Sequence, residues 1–200
     1  ADTTLCIGDT ATFVSWPANG AWSASPASVG TISSTGFVTA VAAGTLIVSY
    51  TRPATNSACP QTTGYKVVTV NPLPSPGVIE PVGPLCPGGK DTLMVSGADA
   101  GTRVWTVANP AIASVPSLDS VITAVSQGTT TVTLQVVNAN GCKKETTAPV
   151  TVDPPVNPLI SGPNSLCVEG GERQFTGTPT PGAWSVNDVT LATIDATSGK

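Results

Sequence analysis

The feature that most constrains this chain is that it repeats itself. Leu5-Cys6-Ile7-Gly8 returns as Leu85-Cys86-Pro87-Gly88 and again as Leu166-Cys167-Val168-Glu169-Gly170, steps of 80 and 81 residues. A short apolar run follows each time, ending Val14-Ser15, Val95-Ser96 or Phe175-Thr176, and then a tryptophan: Trp22, Trp105, Trp184. Val29-Gly30-Thr31-Ile32 is matched by Ile112-Ala113-Ser114-Val115 and Leu191-Ala192-Thr193-Ile194. Two copies continue to Gly44-Thr45 and Gly128-Thr129 and close on Val-Thr-Val, at Val68 to Val70 and Val150 to Val152. A 200-residue chain divided in this way is an array of small units, not one large core. Modules are expected at 1–72 and 85–153, and the N-terminal half of a third at 166–200, where Ser198-Gly199-Lys200 aligns with Thr35-Gly36-Phe37. The rest of the third module is expected from a longer polypeptide or from another element. Between modules, 73–84 (Pro74, Pro76, Pro81, Pro84) and 154–165 (Pro154, Pro155, Pro158, Pro163) read as stiff, extended linkers.

The expected fold class is all-β. Twenty Gly and nineteen Pro punctuate the chain, and no segment keeps apolar residues at i, i+3, i+4 and i+7. Thr131-Val132-Thr133-Leu134-Gln135-Val136 alternates instead, placing Val132, Leu134 and Val136 on one face of a half-buried strand. About seven such segments per module predict a small antiparallel sandwich of two sheets. Trp22, Trp105 and Trp184 then read as core aromatics between the sheets.

Composition excludes several functions. There is no His, which removes Ser-His-Asp and Cys-His catalysis and the imidazole metal ligands. Eight Lys plus Arg against twelve Asp plus Glu, without runs, offer no basic face for a phosphate backbone, so nucleic acid is not an expected partner. No apolar stretch reaches the length of a membrane-spanning helix, and membrane insertion of this segment is not expected. Cys86-Pro87-Gly88-Gly89-Lys90 and Glu169-Gly170-Gly171-Glu172 lack the phosphate-loop pattern and read as turns. Asp9, Asp91 and Glu172 fall at related positions, one acid per copy, which is not the paired arrangement of a glycosidase. Asp119, Asp188 and Asp195 lie near loops but form no calcium-binding cluster in the sequence. No catalytic residue, metal or cofactor is expected.

The run of Trp, then a Val-Ala-Thr-Ile-like segment, then Gly-x-Val-Thr-Ala-Val-x-x-Gly-Thr, resembles the bacterial immunoglobulin-like group 2 domain. With Cys near the start of each copy and Asn140-Gly141-Cys142 near the end of the second, it is similar to tandem modules of very large surface and secreted proteins of Bacteroidota. Arg103-Val104 in place of Gly-Ala before the tryptophan, and Leu118-Asp119-Ser120 in place of Ser34-Thr35-Gly36, depart from the pattern at a hairpin turn. The resemblance implies tandem immunoglobulin-like β-sandwich modules of about 80 residues with an adhesive or spacer role and no common active site.

Five Cys are explained by the repeat: Cys6 with Cys59, and Cys86 with Cys142, would close similar loops in the two complete modules, leaving Cys167 to a partner beyond the chain. Zinc is a poor rival, because there is no C-x-x-C and no His. Disulfides in turn imply an oxidising, extracellular setting. Trp16 breaks the repeat, standing where the other copies have Gly97 and Gly177; it reads either as a surface contact for a sugar or protein, or as packing on the linker or Trp22. Asp2-Thr3-Thr4, Asp9-Thr10-Ala11, Asp91-Thr92-Leu93 and Asp119-Ser120-Val121 fit D-[ST]-[AILVMT], which resembles the O-glycosylation signal of Bacteroidota. This makes Thr3, Thr10, Thr92 and Ser120 candidate acceptors, against the alternative that each Asp caps a strand edge. The functional expectation is a segment of a long cell-surface filament or stalk. Its partners would be neighbouring modules of the same polypeptide, with surface glycans or other cell-surface proteins at the far end. The alternative is an accessory module of a secreted carbohydrate-active enzyme.

Overall fold

A computed structural model describes residues 4–16, 19–55, 59–168 and 171–200. The described residues contain strands and turns and no helix. They divide into two compact units, Ala1–Val152 and Asp153–Lys200.

The first unit holds two immunoglobulin-like sandwiches with separate cores. In the first sandwich, β1 (Thr4–Cys6), β7 (Thr62–Asn71), β6 (Gly44–Arg52) and β3 (Ala21–Ser25) form one sheet in that order. The facing sheet is β2 (Thr10–Thr12), β5 (Phe37–Ala40) and β4 (Gly30–Ile32). All pairs are antiparallel except β1 with β7, which run parallel with Leu5 opposite Val70 and Cys6 opposite Asn71. Leu5, Phe13, Val38, Ala40, Leu46, Val48, Val68 and Val70 make the core. In β6 and β7 the buried residues are every second one, as a strand with one solvated face requires.

The second sandwich repeats the plan. β11 (Thr102–Val107), β14 (Gly128–Val137) and β15 (Lys143–Val152) form one sheet, and β12 (Ala113–Ser114), β13 (Val121–Ala124) and β9 (Lys90–Thr92) the other. Val132, Leu134 and Val136 are fully buried, as the alternation predicts, beside Trp105, Ile122, Val150 and Val152. Leu85 makes a parallel bridge to Val152, the counterpart of Leu5 with Val70.

The Gly-Thr signature has a local cause. Gly44 and Gly128 adopt φ of 150° and 146°, and a Cβ on either would press on Val29 or Ile112 at 3.0 and 2.9 Å. That close approach lets the carbonyl of Val29 accept from the amides of Val41 and Ala42, and that of Ile112 from Val125 and Ser126.

One expectation is revised by pairing. Within the segment read as linker 73–84, β8 (Pro76–Ile79) pairs antiparallel with β10 (Val95–Ala98), and Ile79 belongs to the second core. Ser75 and Glu80 extend the match through backbone bonds with Asp99 and Met94. Pro76 is tolerated because it is the first residue of its strand. Val78-Ile79 supplies the apolar step that the Pro count concealed.

The second unit is described on its own. β16 (Leu159–Ser161), within the segment read as linker 154–165, pairs with β17 (Thr176–Thr178). Phe175 and Trp184 pack in a tilted arrangement with ring centroids 6.4 Å apart. Among its described residues no large apolar side chain is fully buried.

Candidate functional site: a covalent joint and an aromatic groove

The two sandwiches of the first unit meet where β1 and β7 end and where β14 turns into β15. The turn over 138–142 is closed from Asn138 N–H to the Cys142 carbonyl, 2.9 Å, and from Gly141 N–H to the Asn138 carbonyl, 3.0 Å. The Asn138 side-chain oxygen accepts from the amides of Asn140 and Cys142, at 3.1 and 3.0 Å. Its amide nitrogen donates to the Pro72 carbonyl at 3.0 Å, which ties the turn to the end of the first sandwich. The Asn-Gly-Cys signature is therefore a docking turn, and it delivers Cys142 to Cys6.

Cys6 and Cys142 form a disulfide, with Cα atoms 5.6 Å apart. This corrects the expected pairs Cys6–Cys59 and Cys86–Cys142. Cys6 lies beside Asn71, at the C-terminal end of β7, whereas Cys59 precedes the N-terminal end of that strand. Ten residues of strand, about 30 Å, separate the two ends, several times the Cα spacing a disulfide allows. Cys86 and Cys142 flank opposite ends of β15 in the same way. Similar loop lengths were the sequence's signal, but loop length does not measure distance. Cys86 and Cys167 are exposed and unbonded, and Cys59 is exposed in the β6–β7 connection.

The tryptophans differ in depth. Trp105 is buried in the second core, whereas Trp22 and Trp184 are half-buried. Trp22 packs between Phe13 and Tyr50, at ring-centroid distances of 6.4 and 4.7 Å. The Tyr50 hydroxyl accepts the Gly20 N–H at 2.6 Å. Trp16 faces solvent, 90% exposed, on the rim of an open groove of about 410 Å³ lined also by Trp22, Tyr50, Tyr65 and Arg52. Arg52 Nε in this groove is buried and has no hydrogen-bond partner among the described residues.

Of the four acceptor candidates, Thr3 lies outside the described residues. Thr10 and Thr92 are exposed and Ser120 is half-buried. The acids before them engage backbone: Asp9 accepts from Cys6 N–H at 2.8 Å, Asp91 from Thr92 N–H at 2.7 Å and Asp119 from Val121 N–H at 3.3 Å. The related positions expected for Asp9 and Asp91, and with them Thr10 and Thr92, are corrected by register. Ala40 N–H bonds the Asp9 carbonyl and Ala124 N–H bonds the Gly89 carbonyl, so Asp9 corresponds to Gly89, Thr10 to Lys90, and Thr92 to Thr12. The two Asp-Thr pairs align in sequence only by a shift of two residues across the turn.

In the third copy, carboxylates hold the turns. Asp188 accepts from the Thr190 amide and hydroxyl, at 2.9 and 2.6 Å, and Asp195 from the Ser198 amide, the Thr197 hydroxyl and the Thr197 amide, at 2.7, 2.9 and 3.1 Å. The Thr190 hydroxyl lowers the Asp188 pKa, and the Ser198 and Thr197 donors hold Asp195 well below the usual carboxylate range. A 2.6 Å ion pair joins Glu172 to Lys200 and lowers the pKa of the acid. Among the described residues no three acids or cysteines gather as a metal site.

No family model matches the chain, and no curated protein does. Among solved structures it is similar to the C-terminal 282-residue fragment of intimin, in complex with the intimin-binding domain of the translocated intimin receptor. That match has 21% identity over 80% of this chain and 64% of that one, with a TM-score of 0.38. It is also similar to domains 4 and 5 of the S-layer protein SbsC, at 20% identity over 68% and 70% of the two chains and a TM-score of 0.29. Mouse protocadherin-24 EC1-3 gives 11% identity over 80% and 65%, also at 0.29.

Proposed function

We propose that the chain is a structural and adhesive segment of a long extracellular array, non-enzymatic, with modules over 1–72, 85–153 together with its edge strand β8, and 166–200, of the bacterial immunoglobulin-like group 2 type found in Bacteroidota surface proteins. The observation that carries this is the joint. Two sandwiches with separate cores are fastened end to end by Cys6–Cys142 and by Asn138 on Pro72, an investment in the connection and not in a cleft. The bond closes 136 residues of chain, an effect of about 5 kcal/mol in the chain-entropy model. A bond at that place resists bending and separation of the modules. In a gliding host the array would serve as a motility adhesin.

Electron microscopy of the native protein tests this: the expected image is a thread of beads, about 25–35 Å per module. A compact particle overturns it. Cys142→Ser should leave both sandwiches folded and make the thread bend at the 1–2 joint.

Thr3, Thr10, Thr92 and Ser120 are proposed glycan acceptors. With 10% charged residues the array has little electrostatic repulsion, and neutral sugars would keep its edges from pairing with neighbours. Hexose-type additions to the intact mass of native material are expected, and a bare polypeptide mass refutes them. The second reading, an accessory module of a carbohydrate-active enzyme, is favoured by the exposed Trp16 and the orphaned Arg52 Nε of the aromatic groove. It requires retention of the chain on a polysaccharide gel, lost in Trp16→Ala; unretarded migration on all polysaccharides removes it.

A further inference from the structure

The two sandwiches present the same turn at the same end, and only one of the two cysteines in it is bonded. Around Cys6, Asp9 N–H donates to the Cys6 carbonyl at 2.9 Å and Gly8 N–H to the Ala40 carbonyl at 3.0 Å. Around Cys86, Gly89 N–H donates to the Cys86 carbonyl at 2.8 Å and Gly88 N–H to the Ala124 carbonyl at 2.9 Å. Gly8 and Gly88 both have positive φ, 91° and 85°. Each cysteine follows a buried leucine bridged in parallel to the last strand of its sandwich, Leu5 to Val70 and Leu85 to Val152. The backbone that aims Cys6 at a docking turn is thus rebuilt around Cys86, whose side chain is exposed and unbonded.

We propose that Cys86 is an inter-module disulfide site, and that its partner is the hairpin-tip cysteine of a further module of this type, seated on the end of the second sandwich as the 138–142 turn is seated on the first. The inference rests on the array reading and adds to it the chemistry that fastens consecutive modules. The interface is continuous with one already formed in the molecule: the same leucine, the same turn and the same end of the sandwich. Bond formation takes two thiols to one disulfide. The Cys86 thiolate attacks a disulfide of a thiol–disulfide oxidoreductase, the partner thiolate displaces the mixed disulfide, and the oxidant leaves as a dithiol carrying the two electrons and two protons. Cys6–Cys142 and Cys86 would then be successive rungs of one ladder, each linking the start of a module to the hairpin of the next.

Native protein, alkylated under denaturing conditions before any reduction and then digested, decides the matter. The expected result is a Cys86 peptide linked to a cysteine peptide from outside 1–200, together with a Cys6–Cys142 pair. In Cys86→Ser, one further cysteine per chain should become alkylated while Cys6–Cys142 persists and Trp105 fluorescence is unchanged. Cys86 recovered in alkylated form, or joined to Cys59 or Cys167, overturns the proposal. If that happens in material that still forms a beaded thread, the ladder fails and the array reading stands; a compact particle with Cys86 bonded outside 1–200 keeps the disulfide site and removes the array.

Discussion

The two sandwiches of the first unit share a plan but differ at the edge beside the tryptophan. In the second, β8 lies against β10, Ile79 enters the core and Trp105 is 4% exposed. In the first, the stretch equivalent to β8 falls before residue 1 by the same 80-residue step; residues 14–16 belong to no strand, Val14 and Trp16 are each 90% exposed, and Trp22 is half-buried. A segment that reads as linker in sequence is thus what closes the second sandwich. Within residues 1–200 the first sandwich shows without its cover the edge that β8 closes in the second, and the tryptophan lies deep where the cover is present.

The largest expected effect separates the two tryptophans. In a chain of residues 1–200, Trp105→Ala should destabilise the second sandwich by about 3–5 kcal/mol, through lost burial and the cavity left behind, while Trp22→Ala, at an edge without its cover, costs about half as much. Denaturant titration of each variant, followed by amide exchange on β14 and β6, reads the two sandwiches separately. Equal losses would mean that the edge strand does not control the depth of the tryptophan.

How far the sequence discloses this follows from the range of each interaction. The alternation over Thr131–Val136 and the Gly-Thr turns are local, set by strand period and by one glycine conformation, and both are legible. The cysteine pairing is not local. It depends on which end of a ten-residue strand each cysteine occupies, and that follows from the parallel pairing of β1 with β7, which has no signature in the three residues of β1. Pro74 and Pro76 draw attention to stiffness and away from Val78-Ile79, so β8 is hidden by its own punctuation. Trp16 stands out as a break in the repeat, whereas nothing local marks Tyr65 and Arg52 as its companions on the groove.

A smaller effect sharpens the comparison at β8. Ile79 is the apolar residue that this strand contributes to the second core, and its equivalent in the first module falls before residue 1. Ile79→Ala should cost the second sandwich about 2–4 kcal/mol and leave the first unchanged. Unaltered stability by the same exchange measurement would return 73–84 to the role of a plain linker.

The smallest effect compares the turn next to the tryptophan in the first and third copies. In the first, the Ser33 hydroxyl accepts from the amides of Thr35 and Phe37, at 3.2 and 3.1 Å, and a hydroxyl does not titrate in the acid range. In the third, the corresponding acceptor is the Asp195 carboxylate, held below its ordinary pKa by the Ser198 and Thr197 donors. A depressed carboxylate stabilises the fold above its unfolded value, about 3.9, and that contribution fades as pH falls further toward the folded value. Asp188 and the Glu172–Lys200 pair titrate in the same direction and add to it. The carboxylates are exposed, so solvent screens the effect and the shift will be modest. Amide exchange at Thr197 and Ser198 should therefore accelerate as pH is lowered below about 4, after correction for the intrinsic rate, while exchange at Phe37 does not. In Asp195→Asn the dependence should be reduced at Thr197 and Ser198. Identical acid profiles at the two turns would show that the carboxylate caps contribute nothing the serine cap does not.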